Sequence, residues 1–375
     1  MYDIHLGSFM TQLTINSDNY QTQLAEKVAR LESMLTPFNV SEIAVYESPK
    51  TYYRMRAEFR VWHDGDDLFY IMFDPDTREK IRTDSFPVAN RLINRLMPEI
   101  LDYVRGRPNL RQRLFQVEFL TTTTNEALVS LIYHRQLDQD WQNEARAMRQ
   151  HLSQFGEIEI VGRAKKQKLC IDKDWVTETL VINDKPFRFQ QVENSFTQPN
   201  AAVNQHMVSW ALNATQGSEG DLLELYCGNG NFSLPLAQNF KRVLATEISK
   251  TSVHSARYNC ELNNIDNVTV VRMSAEEFSA VMAGERESRR ANEAELERFD
   301  CQTVLVDPPR AGLDVDTIEL VRNYDSIVYI SCNPETLVEN LAALQTTHEV
   351  KQAALFDQFP YTHHMEAGVL LKRKR

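Results

Sequence analysis

The chain has 375 residues, 42% of them hydrophobic and 25% charged, with a formal net charge of −11. That length suits two domains better than one. No run approaches the roughly 18 apolar residues of a membrane-crossing helix, and the first 30 residues lack the basic and apolar blocks of a secretory signal. Five scattered cysteines without a Cys-x-x-Cys pair argue against a zinc or iron–sulfur site. Their odd number suits a reducing compartment, so the cytoplasm is expected. The acidic balance carries no general footprint for nucleic acid, and any cationic surface has to be local.

Residues 1–16 show little pattern, and Met10 is an alternative start with the preceding residues as a leader. A helix is expected next, capped by Ser17 or Asp18, with Leu24, Val28, Leu31 and Leu35 on one face and Pro37 ending it. From residue 51 the period becomes two: "YYRMRAEFRVW" and "LFYIMF" flank the turn "HDGDD", which predicts a hairpin. Arg54, Arg56 and Arg60 fall an even number apart, on one strand face. A helix over 88–104 ends at Gly106, with Pro98 as a kink. Strands at "LFQVEFL" and "ALVSLIY", a helix carrying Trp141, Ala145, Met148 and Leu152, and strands at "EIEIV", "TLVI" and "FRFQQV" complete an α+β module. "GRAKKQK" packs four cations into seven residues, Lys165 and Lys166 among them. These cations are RNA-binding candidates, with a solvated surface as the plain alternative.

Beyond residue 200 the grammar changes. A helix with Val203, Met207, Trp210 and Ala211 precedes "GDLLELYCGNGNFSLPLA", then "RVLATEI", a helix over 251–262, "VTVVRM", "TVLVDPP", "SIVYISC", "VKQAALFD" and "AGVLLKR". Short strands alternating with helices predict a doubly wound α/β sheet. The charged stretch 276–300 reads as a helical, solvated insertion. The domain boundary falls near 195, giving a module over 1–195 and a catalytic domain over 196–375, with the first helix a candidate to pack on the latter.

Three motifs carry chemistry. In "ELYCGNGNF" a glycine turn between strand and helix lets backbone N–H groups approach a ligand around Gly228. Glu247 ends the next strand, 17 residues past Gly230, where a carboxylate can accept both hydroxyls of a ribose. That arrangement also holds S-adenosylmethionine. In "VLVDPPRAGL", Asp307 ends a third strand and shares the same crevice. Arg310 stands where enzymes methylating exocyclic amines carry an aromatic residue, which argues against that chemistry. In "VYISCNPETL", Cys332 ends the following strand. A free cysteine is commonly a small buried residue, but "CNP" stops this strand abruptly, and "FPYTHHMEAG" supplies Glu366, His363 and His364.

Together, "LYCGNGNFSL", "DPPRAGLD", "YISCNPETL", "DQFPYTHHMEAGVLL" and "QVENSFTQPN" resemble the RNA uracil-5-methyltransferases, over nearly the whole chain. The resemblance is closest to the bacterial tRNA (uracil-5-)-methyltransferases; the four-cysteine cluster site and small β-barrel of ribosomal-RNA relatives have no counterpart in the sequence. It implies a Rossmann-like S-adenosylmethionine-dependent catalytic domain after an N-terminal α+β RNA-binding module. It also implies Cys332 as nucleophile, Glu366 as proton acceptor, and Gln198, Tyr226, Gly228, Asn231, Glu247 and Asp307 at the cofactor. The implied reaction is 5-methylation of uridine 54 in the T-arm of tRNA, with no metal, membrane or protein partner expected. A uridine of ribosomal RNA or tmRNA is the alternative substrate, and a tRNA-remodelling binder on the same scaffold is the non-enzymatic one.

Overall fold

The computed structural model describes residues 19–40, 42–74 and 77–375. The expected cap at Ser17 or Asp18 and the alternative start at Met10 lie outside them. Contacts divide the chain into two units: unit one holds residues 49–179 and 191–201, and unit two holds 19–48, 180–190 and 202–375. The ribbon of strands Trp175–Ile182 and Lys185–Val192 contributes residues to both. Among the described residues no helix is long and apolar enough to cross a membrane.

Unit one is built on a seven-stranded sheet in the order Lys80–Arg82, Asp67–Phe73, Arg56–Asp64, Leu114–Thr121, Glu126–Tyr133, Glu157–Ala164, Gln167–Cys170. The expected alternation is present in Arg56–Asp64: Ala57, Phe59 and Val61 are buried while Arg60 and Trp62 face solvent. Helix Arg91–Arg105 contains Pro98 and buries Leu92, Ile93, Leu96, Met97, Ile100, Leu101 and Val104. Strands Glu126–Tyr133 and Glu157–Ala164 run parallel, with helix Gln139–Leu152 as their crossover. Gly162 makes room for that helix, because a Cβ there would lie 2.3 Å from the Trp141 ring.

Unit two carries an eight-stranded sheet in the order Ala44–Tyr46, His348–Phe356, Glu366–Arg373, Ser326–Ser331, Cys301–Val306, Asp221–Leu225, Val243–Glu247, Val268–Arg272. Every neighbouring pair is parallel except those of Glu366–Arg373, which is antiparallel to both its neighbours. Strands Asp221–Leu225 and Ser326–Ser331 are buried at every position, the pattern of a parallel sheet covered on both faces.

Helix Tyr20–Leu35 belongs to unit two, although a single cut near 195 leaves it with the first module. Its Tyr20, Leu24, Leu31 and Leu35 join the core cluster of Val304, Val306 and Tyr329. On the same face Lys27 is 5% exposed and its Nζ meets Asp357, itself 1% exposed, at 2.6 Å; a charge so placed is tolerated only when paired. The edge strand Ala44–Tyr46 was not expected, since three residues carry too little pattern to register as a strand. The charged stretch 276–300 also departs from a purely solvated insertion. Phe278, Ala291 and Leu296 are buried in the core cluster, beneath an otherwise charged exterior.

Candidate active site

In unit two the chain leaves strand Asp221–Leu225 in one direction, to Val243–Glu247 and Val268–Arg272. It then returns to the other side at Cys301–Val306. Beyond the carboxyl ends of such strands a crevice opens where the order reverses, and the three sequence motifs all arrive there.

The glycine turn is shaped by backbone geometry. Tyr226, Gly228 and Gly230 have φ of 64°, 56° and 89°, a region that favours glycine. A Cβ on Gly230 would strike Leu234 at 2.3 Å, whereas one on Gly228 would meet nothing within 4 Å, so the backbone at Gly228 is open to close approach. Its N–H donates to Glu247 Oε2 at 3.1 Å, and Ser249 N–H donates to Oε1 at 2.7 Å. Each carboxylate oxygen keeps a lone pair for a ligand. Asn231 exchanges two hydrogen bonds with Asn204, at 2.8 and 2.9 Å. Asn204 escaped the sequence reading; its signal is an amide on the buried, otherwise apolar face of helix Ala201–Ala214. Behind the turn, Asn259 donates to Asn229 O at 3.0 Å and accepts from Gln190 N–H at 2.7 Å. Glu224 lies beneath, 1% exposed, accepting from the Ser233 hydroxyl on one oxygen, with no partner on the other. Burial raises its carboxyl to about 8.

Asp307 is half-buried, and desolvation lifts it to about 7. The loop that follows is tied down by Asn340. Its Oδ1 accepts from Leu313 N–H at 2.8 Å and from the Tyr329 hydroxyl at 2.7 Å. Arg310 O accepts from Asn333 Nδ2 at 2.9 Å and Thr336 Oγ1 at 3.2 Å. The "DPPR" loop is therefore joined to the segment bearing Cys332.

Cys332 occupies the step between strand Ser326–Ser331 and helix Pro334–Leu344, whose cap is Asn333. Ser331 Oγ holds the turn, donating to Asn333 O at 2.9 Å and accepting its N–H at 3.2 Å. The last strand completes the arrangement. Being antiparallel, it brings its first residue to the edge where its neighbours end: Ala367 pairs with Ser331 and Glu366 with Phe356. One step beyond the Ser331–Ala367 pair lie Cys332 and Glu366, which are 34 positions apart in the sequence.

Burial, then Glu366 and Asp307, push the Cys332 thiol up to about 12, with Arg310 opposing. Glu366 is 3% exposed; burial, reinforced by Asp307, holds its carboxyl well above the ordinary range, again with Arg310 opposing. One cation thus faces a thiol and two acids, and the cluster favours its protonated forms. Arg310 Nη2 lies 3.3 Å from His364 Nδ1, and the His363 and His364 rings are 4.2 Å apart. His364 therefore touches the cluster's cation.

Gln198 lies half-buried in the Gln191–Ala201 segment of unit one. Among the unit's cationic candidates, Arg54 Nε donates to Arg56 O and Arg56 Nη1 to Ser195 O, both at 2.8 Å, so backbone carbonyls hold both guanidiniums. Arg60 is exposed, 4.4 Å above the Phe115 ring, which stacks on His134 at 4.0 Å. Lys80 lies 3.3 Å over Trp62 on the same sheet. The aromatic partners Phe115 and His134 are a second omission, since Phe115's strand is paired with Arg60's, and His134 is stacked on Phe115, only in the fold. "GRAKKQK" forms a hairpin, with Lys165 and Lys166 exposed at the turn and Arg163 and Lys168 ion-paired with Glu193. All five cysteines are free, and no cluster of metal-ligating side chains occurs among the described residues.

A family model described as tRNA (Uracil-5-)-methyltransferase matches residues 19–374. The tRNA/tmRNA (uracil-C(5))-methyltransferase of Vibrio parahaemolyticus is 59% identical over 368 residues, 97% of this chain and 100% of that one. The protein of the same name from Idiomarina loihiensis is 59% identical over 365 residues, again 97% and 100%. Among solved structures, Pyrococcus abyssi tRNA (uracil-54, C5)-methyltransferase in complex with S-adenosyl-L-homocysteine aligns with a TM-score of 0.69 and 22% identity, covering 94% of this chain and 83% of that one. That likeness shows a shared Rossmann-like methyltransferase fold. With a family model spanning almost all of it and close relatives along its whole length, the chain belongs to the tRNA (uracil-5-)-methyltransferase family.

Proposed function

We propose that this protein uses S-adenosylmethionine to methylate C5 of uridine 54 in the T-arm of tRNA, making 5-methyluridine through a covalent bond from Cys332 to C6. The observation that carries the reading is the meeting of Cys332, Asp307 and Glu366 at one sheet edge, produced by the antiparallel last strand. The relatives' names support tRNA, and tmRNA as a second substrate.

The residues present fit the cofactor. The open backbone at Gly228, the spare lone pairs of Glu247 and the oriented amide of Asn231 suit a nucleoside. Tyr226 and Asp307 complete the unit-two residues expected to hold it. When bound, S-adenosylmethionine supplies an electrophilic methyl on a sulfonium sulfur.

The chain's own residues supply the rest. Uracil C5 is a weak nucleophile until the Cys332 thiolate adds to C6 and places carbanion character on C5. After C5 is methylated, Glu366 accepts its remaining proton, the C6–S bond breaks, and the ring double bond returns. Arg310 and the adjoining helix N-terminus are the groups favouring the thiolate. Unit one, with exposed cations over aromatic rings, suits RNA phosphates and unstacked bases. This assignment puts the enzyme with its tRNA in the cytoplasm.

tRNA carrying 5-fluorouridine at position 54 tests the reading. Fluorine cannot leave as a proton, so a denaturation-resistant protein–RNA adduct is expected with wild type and none with Cys332→Ala. An adduct that survives Cys332→Ala would remove the nucleophile. Methyl transfer to ribosomal RNA in preference to tRNA would overturn the substrate.

A further inference from the structure

We propose that a basic recess on the flank of unit two, separate from the crevice, binds phosphate groups of the RNA backbone away from the nucleotide being methylated. The recess, about 470 Å³, lies where helix Lys250–Leu262 and the short helix Arg289–Glu293 flank the edge strand Val268–Arg272. Lys250, His254 and Arg257 line it from one helix face, at positions i, i+4 and i+7. Arg272 and Arg290 line it from the strand end and the short helix.

The three guanidiniums are oriented without being neutralised. Arg257 donates to Val270 O at 2.8 and 3.3 Å, Arg272 to Ile248 O at 3.1 Å, and Arg290 to Arg272 O at 3.2 Å. Among the described residues, none of Lys250, Arg257, Arg272 and Arg290 is in an ion pair. The single acid in the lining, Glu293, is already paired with Arg289 at 2.7 Å. Four uncompensated cations around one recess reverse the sign of a chain carrying −11 overall. Arginine forks held open in this way match phosphate oxygens.

The edge strand is four strands from the one bearing Cys332, about 19 Å at ~4.8 Å per strand. A phosphate in the recess therefore belongs to RNA outside the reacting nucleotide, and its contact positions the substrate without reading sequence. The inference rests on the tRNA substrate proposed above.

The test is the full-length variant Lys250→Gln/Arg257→Gln/Arg290→Gln, which spares Arg272 because it anchors Ile248 beside Glu247. With unmodified tRNA, the slope of log affinity against log salt should become shallower by about 2 to 3. KM for tRNA should rise about tenfold at about 0.15 M salt, with kcat at saturating tRNA unchanged and the variant still melting cooperatively. A wild-type slope and KM in the variant would overturn the site. An unchanged RNA slope, with inorganic phosphate raising the melting temperature of wild type alone, would overturn RNA in favour of free phosphate. Methyl incorporation by the wild type is scored separately. Its absence with the slope change intact would leave the recess standing and remove the substrate reading, whereas its presence with an unchanged slope would remove the recess alone.

Discussion

The functional groups of the two units are displayed in opposite ways. In unit one, Arg60 and Lys80 lie over aromatic rings on a sheet face open to water. In unit two, Cys332, Asp307 and Glu366 are drawn inward at a strand edge, and each raises or resists the ionisation of another. Solvent screens a surface cation, so each is worth little alone and the set works by number. Desolvation magnifies a buried charge, so single groups there carry large free energies. On the function proposed above, RNA docking and bond-making call for these two regimes respectively.

Substitutions in unit two should therefore produce the largest effects. Cys332→Ala should lower methyl incorporation by at least about 10⁴-fold, read with labelled cofactor and tRNA, while the protein melts as wild type. A residual rate within tenfold of wild type would break the comparison at its centre. Lys27→Ala leaves the Asp357 carboxyl in the core without its cation, and should cost about 3–5 kcal/mol in denaturant titration. A loss under 1 kcal/mol would mean that the buried pair is not the strut its burial implies. Glu366→Gln should slow turnover by about 10²- to 10³-fold and let the covalent adduct accumulate on ordinary uridine, visible on a denaturing gel.

The pH dependence sharpens the contrast. In the mechanism proposed above Glu366 accepts a proton only when ionised and Cys332 attacks only as the thiolate; the Glu366 carboxyl is held above the usual range, as are Asp307 at about 7 and the thiol at about 12. The rate should thus rise with pH through neutrality. Stability should move the other way for Glu224. Its folded value of about 8 exceeds the ordinary carboxylate value near about 4.3, so the folded state binds the extra proton. The stabilisation is present below the unfolded value and is lost as pH rises through about 8. Glu224→Gln should flatten the melting temperature across that window.

The smallest effect belongs to unit one. Arg60→Ala should raise KM for tRNA about fivefold, near 1 kcal/mol, with kcat unchanged. A collapse of kcat would show that Arg60 acts on chemistry rather than docking.

Much of this molecule is legible in local pattern. Arg56–Asp64 announces itself by alternation, and the buried strand before Cys332 by an unbroken apolar run. The carboxyl ends of parallel strands collect ligands, which marks Glu247, Asp307 and Cys332 as candidates before any coordinates. Other features have no local signal. Ala44–Tyr46 is too short to show a period. Asn204 reads as one more polar residue of a mixed helix until Asn231 faces it, and Phe115 gains meaning only from its proximity to Arg60.

The sequence by itself determined most of the elements and which reactive side chains stand at their ends, because periodicity, capping and turn chemistry act over a few residues. Only the tertiary structure decided that the last strand runs antiparallel and sets Glu366 beside Cys332. The same holds for Lys27, which finds Asp357 across 330 residues, and for burial, which holds the thiol at about 12. Strand partners and desolvation are set by atoms distant in the chain, and their energies exist only once those atoms are brought together.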